Sequence, residues 1–270
     1  MTDASERAHA DAIARLYDLD LSVDPGDVDL YRALARRTGG PILELAVGSG
    51  RIAVTLAEDG HKVVGVDIEP AMLDRARARL ATTSAAARAR VELVEGDMTE
   101  AASNPKVRAA GPFKLAILAL NSIIILPSAD RQRAALRAMA NALAPDGLAV
   151  IDQWLPVPAD LTAFDGRLSL DWVRTDPDTG LEVTKTSAAW FDPTSRRVTL
   201  TTIFEEGAPG GPTVRWIRND ALRLVTADEL IGYAADAGLE VEELGGDHEL
   251  NPLGAGGDRL VLVARRHHPV

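Results

Sequence analysis

The chain has 270 residues, 46% of them hydrophobic and 26% charged, with no cysteine and a formal charge of −11. That length suits one large α/β domain or a domain carrying a smaller insertion, and the lack of thiols excludes disulfides, thiolate metal sites and thiol nucleophiles. The acidic balance repels phosphate backbones and anionic lipid, which excludes nucleic acid and membrane surfaces as partners and leaves a cytoplasmic protein meeting a small molecule as the expected class.

Residues 1–20 have no apolar run behind basic residues, so no secretory leader is expected. From residue 41 the chain alternates short apolar strands with helical patterns, which predicts βαβ units around a mostly parallel sheet. Pro41–Ala46 reads as the first strand, Arg51–Asp59 as a helix and Lys62–Val66 as the second strand. Pro70 stands where the next helix begins, and Ala71–Leu80 continues it with good helix formers. Val91–Val94 and Leu115–Leu120 are the third and fourth strands. The apolar run Leu115–Leu126 is broken by Asn121 and Ser122 and is too short for a bilayer. Ser128 or Asp130 caps a helix over Arg131–Leu143, Pro145-Asp146-Gly147 ends it, and Leu148–Asp152 is the fifth strand.

Residues 166–225 change character. Four runs of period two are separated by DPDTG, DPTS and GAPGGP, the chemistry of tight turns, and predict an antiparallel sheet inserted after the fifth strand. Thr226 and Glu229 then form a capping box for a helix over Ala227–Ala237, and Leu239–Leu244 and Arg259–Arg265 supply the last two strands. The expected organisation is an N-terminal helical lid (1–40), an α/β core (41–153 and 226–270) and an inserted antiparallel sheet (154–225).

The strongest local signal is ILELAVGSGR over Ile42–Arg51. A strand delivers Glu44, and Gly48-Ser49-Gly50 turns into a helix whose backbone a ligand can approach. Asp67 ends the next strand, 17 residues after Gly50, where its carboxylate can accept from two ribose hydroxyls. Together these residues describe a nucleoside site without naming the nucleoside.

On these motifs the chain resembles the class I S-adenosylmethionine-dependent methyltransferases, of the small-molecule type that includes amino-sugar and natural-product N- and O-methyltransferases. The resemblance implies a Rossmann-like α/β fold with a seven-stranded sheet, S-adenosylmethionine as cofactor and S-adenosylhomocysteine as product. The family's acidic-x-G-x-G-x-G strand end reads here as Glu44, Ala46, Gly48 and Gly50, with Ala46 departing from the first glycine. By the same resemblance Asp67 binds the ribose, Ile68 and Met72 pack against the adenine, and Asp97 and Met98 read its edge. Arg51 pairs with the cofactor carboxylate, Tyr17 closes from a lid, and Asn121 positions the methionine end or the acceptor atom. Metal-dependent members want an aspartate at that last station, so Asn121 argues for no metal.

The β insertion implies a cover over the acceptor, and Trp154, Gln153 and Asp152 at the fifth strand's end are the candidate acceptor contacts. Core filling is the alternative for the remaining tryptophans, as simple packing is for Tyr17. Catalysis asks mainly for alignment. A hydroxyl acceptor also wants a general base, for which His248 in GGDHELNP is the candidate; His267 and His268 are tail residues and His61 lies at the wrong sheet edge. The partner implied is a small-molecule acceptor, and a homodimer is left open. Two other classes compete, a cofactor-binding protein without catalysis and a nicotinamide-dependent oxidoreductase. The latter has no comparable use for an acid after the third strand.

Overall fold

The computed structural model describes residues 3–23, 25–254 and 257–267, so His268 lies outside the described residues. Two helices come first, α1 (Asp3–Asp20) and α2 (Val28–Thr38). The α/β pattern follows as β1 (Ile42–Leu45), α3 (Arg51–Glu58), β2 (Val63–Asp67), α4 (Pro70–Ala81), the short α5 (Ala85–Arg88) and β3 (Val91–Glu95). A 3₁₀ turn at Met98–Ser103 leads into α6 (Pro105–Ala110), β4 (Phe113–Leu118), α7 (Ser122–Ile125), α8 (Ala129–Ala142) and β5 (Leu143–Trp154). Next come α9 (Pro158–Ala163) and four strands of eleven residues each, β6 (Asp165–Thr175), β7 (Glu182–Asp192), β8 (Arg197–Gly207) and β9 (Thr213–Arg223). The chain closes with α10 (Ala227–Asp236), β10 (Leu239–Gly245) and β11 (Arg259–Arg266).

The helix starts follow local chemistry. Pro70 opens α4 and Glu69 caps it by accepting from Ala71 N–H. Ser128, rather than Asp130, caps α8, and Thr226 and Glu229 form the capping box of α10. The Pro145-Asp146-Gly147 turn differs from its expected place. It lies inside β5, because Leu143 already pairs with Phe113 before the register breaks and resumes at Leu148 opposite Leu115. Asp146 takes the left-handed conformation this requires, with φ 62°.

The chain forms two compact units. The larger, residues 24–155 and 225–270, holds a seven-stranded sheet in the order β10-β11-β5-β4-β1-β2-β3. β11 runs antiparallel to both neighbours, and the others are parallel where they pair. The strand order reverses at β1 and β4, and in open α/β sheets ligands bind at the carboxyl ends beside such a point. β1, β4 and β5 are buried on both faces, so they read as continuous apolar runs. α2 lays Leu30, Tyr31, Leu34 and Ala35 into the same core as Ile42, Ile52 and Leu115.

The smaller unit, residues 1–23 and 156–224, holds the antiparallel sheet β6-β7-β8-β9. α1 covers this sheet. Leu16 and Leu19 pack with Val183 and Phe204, flanked by Ile13, Trp172 and Trp216. Arg15 pairs with Glu206 at 2.6 Å and with the buried Asp176, and Trp172 donates to Asp20 at 2.8 Å. The first 40 residues, expected as one helical lid, are therefore shared between the units, since α1 and α2 bury their apolar stripes in different cores. Trp172 and Trp216 fill the core beneath α1, whereas Trp190 is exposed.

Candidate active site

Three strand ends of the larger unit meet at one place. Val47 N–H donates to Val66 O, and Gly96 N–H donates to Asp67 O. The backbone after β1, β2 and β3 is thus cross-linked at its carboxyl edge, and Gly48, Asp67 and Asp97 come together as neighbours. Gly48 N–H donates to Asp67 Oδ2 at 2.7 Å and Glu69 N–H to Oδ1 at 2.9 Å. Each carboxylate oxygen offers two lone-pair directions, so the group can accept from a ligand beside the Gly48, Glu69 and Ile68 N–H groups. Burial pushes the Asp67 carboxyl up from its ordinary range, against the pull of those N–H groups. Beside it Ile68 is 67% exposed, an apolar side chain standing in solvent at the strand end, and Met72 is half-buried on the first turn of α4.

The turn after β1 is left-handed at three positions, Ala46 (φ 53°), Gly48 (φ 55°) and Gly50 (φ 79°). That explains the glycines of the pattern, and Ala46 holds the same conformation despite its Cβ. Glu44 is buried on β1, and its Oε2 has no hydrogen-bond partner among the described residues. Burial pushes its carboxyl up to about 8, opposed by the nearby Arg51 guanidinium.

Asp97 caps the 3₁₀ turn. Its Oδ1 accepts from the backbone and hydroxyl of Thr99, both at 2.8 Å, and its Oδ2 pairs with Arg131. Burial works against ionisation, but Thr99 and Arg131 outweigh it and hold the carboxyl below its usual range. Arg131 therefore already occupies one oxygen of the carboxylate expected to meet an adenine amine. Met98, the first residue of the turn, is half-buried beside it.

Arg51 does not present its fork to the cleft in the way expected. Nη1 and Nη2 each donate at 2.6 Å to the two oxygens of Asp27, which is fully buried ahead of α2. Tyr17 is half-buried on α1, in the smaller unit.

The ends of β4 and β5 carry a second cluster. Leu120 (φ 43°) and Asn121 (φ 68°) are consecutive left-handed residues, a conformation that costs L-residues energy and is retained where surroundings enforce it. The enforcement is visible. Asn121 N–H donates to Asp152 O, and Asn121 Oδ1 accepts from Trp154 N–H at 2.5 Å and from Arg259 Nη2 at 3.5 Å. Trp154 is half-buried at the end of β5.

Asp152 is 0% exposed, as is Gln153, whose Nε2 donates to Val225 O at 2.7 Å. The acceptor contacts expected of these two side chains are not what the structure gives them: both are enclosed and bonded inside the unit. Asp152 accepts from Arg259 Nε at 2.6 Å and lies 3.2 Å from His248 Nε2. Burial raises its carboxyl, but His248 and Arg259 together bring it below the usual range. His248 is carried on a loop that Asp247 ties down by accepting from Glu249 N–H, Asn251 N–H and Asn251 Nδ2.

No sequence pattern marks Asp27, Tyr31, Arg131 or Arg259 as a site residue. One signal existed for Arg259: an aspartate inside the apolar run LAVIDQW needs a cation, and the last strand opens with an arginine. Among the described residues no group of three or more His, Cys, Asp or Glu side chains is placed to hold a metal ion, and no helix is long and apolar enough to cross a membrane.

The family model described as a methyltransferase domain matches residues 42–147. The chain is 34% identical over 107 residues to the ribosomal protein L11 methyltransferase of Thermus thermophilus, covering 39% of this chain and 38% of that protein. It thus spans well under half of that curated relative. Among solved structures it is similar to the CcbJ methyltransferase from Streptomyces caelestis, with 26% identity, a TM-score of 0.73 and coverage of 90% and 91% of the two chains. A SAM-bound amino pentose methyltransferase of calicheamicin biosynthesis, CalS10 from Micromonospora echinaspora, shares the fold, with 23% identity, a TM-score of 0.64 and 98% of both chains covered.

Proposed function

We propose that this chain, whose residues 42–147 match the family model described as a methyltransferase domain, transfers the methyl group of S-adenosylmethionine to a nitrogen or oxygen of a small molecule. The observation that carries the proposal is Asp67, bonded at 2.7 Å to Gly48 N–H in the glycine turn, with the exposed Ile68 alongside. The residues present fit the cofactor. Asp67 offers its carboxylate to the ribose hydroxyls, Ile68 and Met72 offer an apolar surface for the adenine, and Asp97 and Met98 are assigned to its edge. The buried, unpartnered Glu44 Oε2 suits the ammonium of an amino-acid tail. When bound, the cofactor supplies an activated methyl on a sulfonium.

What the protein adds is alignment, since in-line displacement is governed by the approach of the two reacting atoms. Asn121, fixed in a left-handed turn at the carboxyl edge of the sheet, is assigned to that approach. Acceptor selection is assigned to the unit of α1 and β6–β9, with Tyr17 its candidate closing residue. His248 is assigned as proton acceptor. The amino pentose specificity of one structural relative favours an amine on a sugar as the first acceptor to try, at a cytoplasmic site of action.

The test is incubation with S-adenosylmethionine carrying an isotopically labelled methyl group and a panel of amino sugars and hydroxylated aromatics. Label in a small-molecule product supports the reading. S-adenosylhomocysteine binding without transfer to any acceptor would favour a non-catalytic cofactor-binding protein instead. Failure to bind S-adenosylhomocysteine would remove the methyltransferase reading.

A further inference from the structure

The two side chains assigned to the reacting centre, Asn121 and His248, are both tied to one enclosed carboxylate. Asp152 Oδ1 accepts from Arg259 Nε at 2.6 Å, and the same guanidinium reaches Asn121 Oδ1 through Nη2 at 3.5 Å. Asp152 Oδ2 faces His248 Nε2 at 3.2 Å, Tyr31 OH at 3.4 Å and Leu120 N–H at 3.4 Å. Arg259, Tyr31 and Leu120 bring donors only to this carboxylate, as a guanidinium, a phenol proton and a backbone amide must. A carboxylate so surrounded accepts and does not donate. Arg259, always cationic, already balances its charge.

We infer, on the reading of the chain as a methyltransferase, that Asp152 is a positioning residue that holds His248 as its Nε2–H tautomer and so makes Nδ1 the atom that takes the acceptor's proton. The imidazole is 9% exposed while Asp152 is 0% exposed, so the carboxylate acts only through the ring. In the step, the acceptor's lone pair forms the new bond to the methyl carbon, the C–S bond pair returns to sulfur, and the proton on the acceptor nitrogen or oxygen passes to Nδ1. The ring's two nitrogens then both carry hydrogen, and the imidazolium faces the Asp152 carboxylate. This is the division of labour in which a buried acid orients and stabilises a base without itself being protonated.

Asp152→Asn sharpens the test. Arg259 requires an acceptor, which turns the asparagine oxygen towards it and leaves the Nδ2 donors facing His248. Nε2 must then accept, and the ring proton moves to Nδ1. The measurement is long-range proton–nitrogen NMR on protein labelled with ¹⁵N-histidine and saturated with S-adenosylhomocysteine, the His248 signals being identified by their loss in His248→Gln. The expected result is Nε2–H in the native protein and Nδ1–H in Asp152→Asn. With an amino sugar from the panel, kcat is expected to fall roughly 10²–10³-fold in Asp152→Asn and in His248→Gln, with S-adenosylhomocysteine affinity kept within about twofold. A native protein with its proton on Nδ1 overturns the inference without recourse to any variant, as does native turnover in a folded Asp152→Asn protein. A native protein with the expected tautomer that methylates nothing removes the methyl-transfer reading instead.

Discussion

Arg51 and Asp27 form a two-point ion pair, both bonds 2.6 Å long, that fastens the first turn of α3 to the segment ahead of α2. Asp27 is fully buried and Arg51 only 18% exposed, so removing one partner leaves the other uncompensated. Asp27→Asn is expected to cost about 3 kcal/mol of stability, read as a lower urea midpoint with an unchanged slope. A variant as stable as the parent would show that water reaches the guanidinium.

Glu44 makes the cofactor-free protein sensitive to alkali. Its folded pKa of about 8 lies above the ordinary 4.5, so the folded state holds a proton that the unfolded chain releases. The group's contribution is complete below about 4.5 and is lost as pH rises through about 8, at up to about 1.4 kcal/mol per pH unit. Glu44→Gln removes that slope. Urea midpoints of the two proteins should therefore diverge in the variant's favour between about pH 5 and about pH 8. Parallel curves would contradict the raised carboxyl.

Ala46 sits at φ 53° where the family pattern has glycine. Left-handed backbone costs an L-residue about 1–2 kcal/mol, and glycine's extra freedom in the unfolded chain offsets about 0.4–1 kcal/mol of any gain. Ala46→Gly should stabilise the protein by about 0.5–1 kcal/mol. A lower melting temperature would mean that the methyl group packs productively.

Asp67→Ala is expected to weaken S-adenosylhomocysteine binding at least about tenfold, through loss of charge-assisted hydrogen bonds to the ribose. Titration calorimetry returning the parental affinity would reject the ribose assignment, and with it the convergence on one nucleoside.

Leu16 is fully enclosed against Val183 and Phe204. Truncating it to alanine should cost about 2–5 kcal/mol, felt within its own unit. Amide exchange should rise across β7 and β8 while β1 and β4 keep their protection. A uniform rise over both sheets would show that the units unfold together.

The alternation from β1 to β4, the turns between β6 and β9 and the cap of α10 were all legible, because each is written in a short window: an apolar run, a glycine turn, a Thr-x-x-Glu box. The family motif went further and brought Gly48, Asp67 and Asp97 to one edge of the sheet. What stayed hidden was pairing at a distance. Arg259 meets Asp152 across 107 positions and Arg51 meets Asp27 across 24, and no local pattern says which cation settles on which acid. For the same reason the sequence alone points Arg51 at the cofactor and Asp152 at the acceptor, whereas each is bonded to its own internal partner. The helical lid expected over 1–40 carries no local pattern that names the sheet on which α1 packs.

That last point bears on how the molecule can be recombined. A chimaera meant to exchange the inserted sheet with that of a relative would fail if only the obvious internal stretch were grafted, since residues 3–23 lie far away in sequence but complete its hydrophobic interior. Two crossovers inside the chain and a third near its beginning are required. Trimming the first helix as though it were a dispensable tail would uncover Val183, Phe204 and two tryptophans at a stroke.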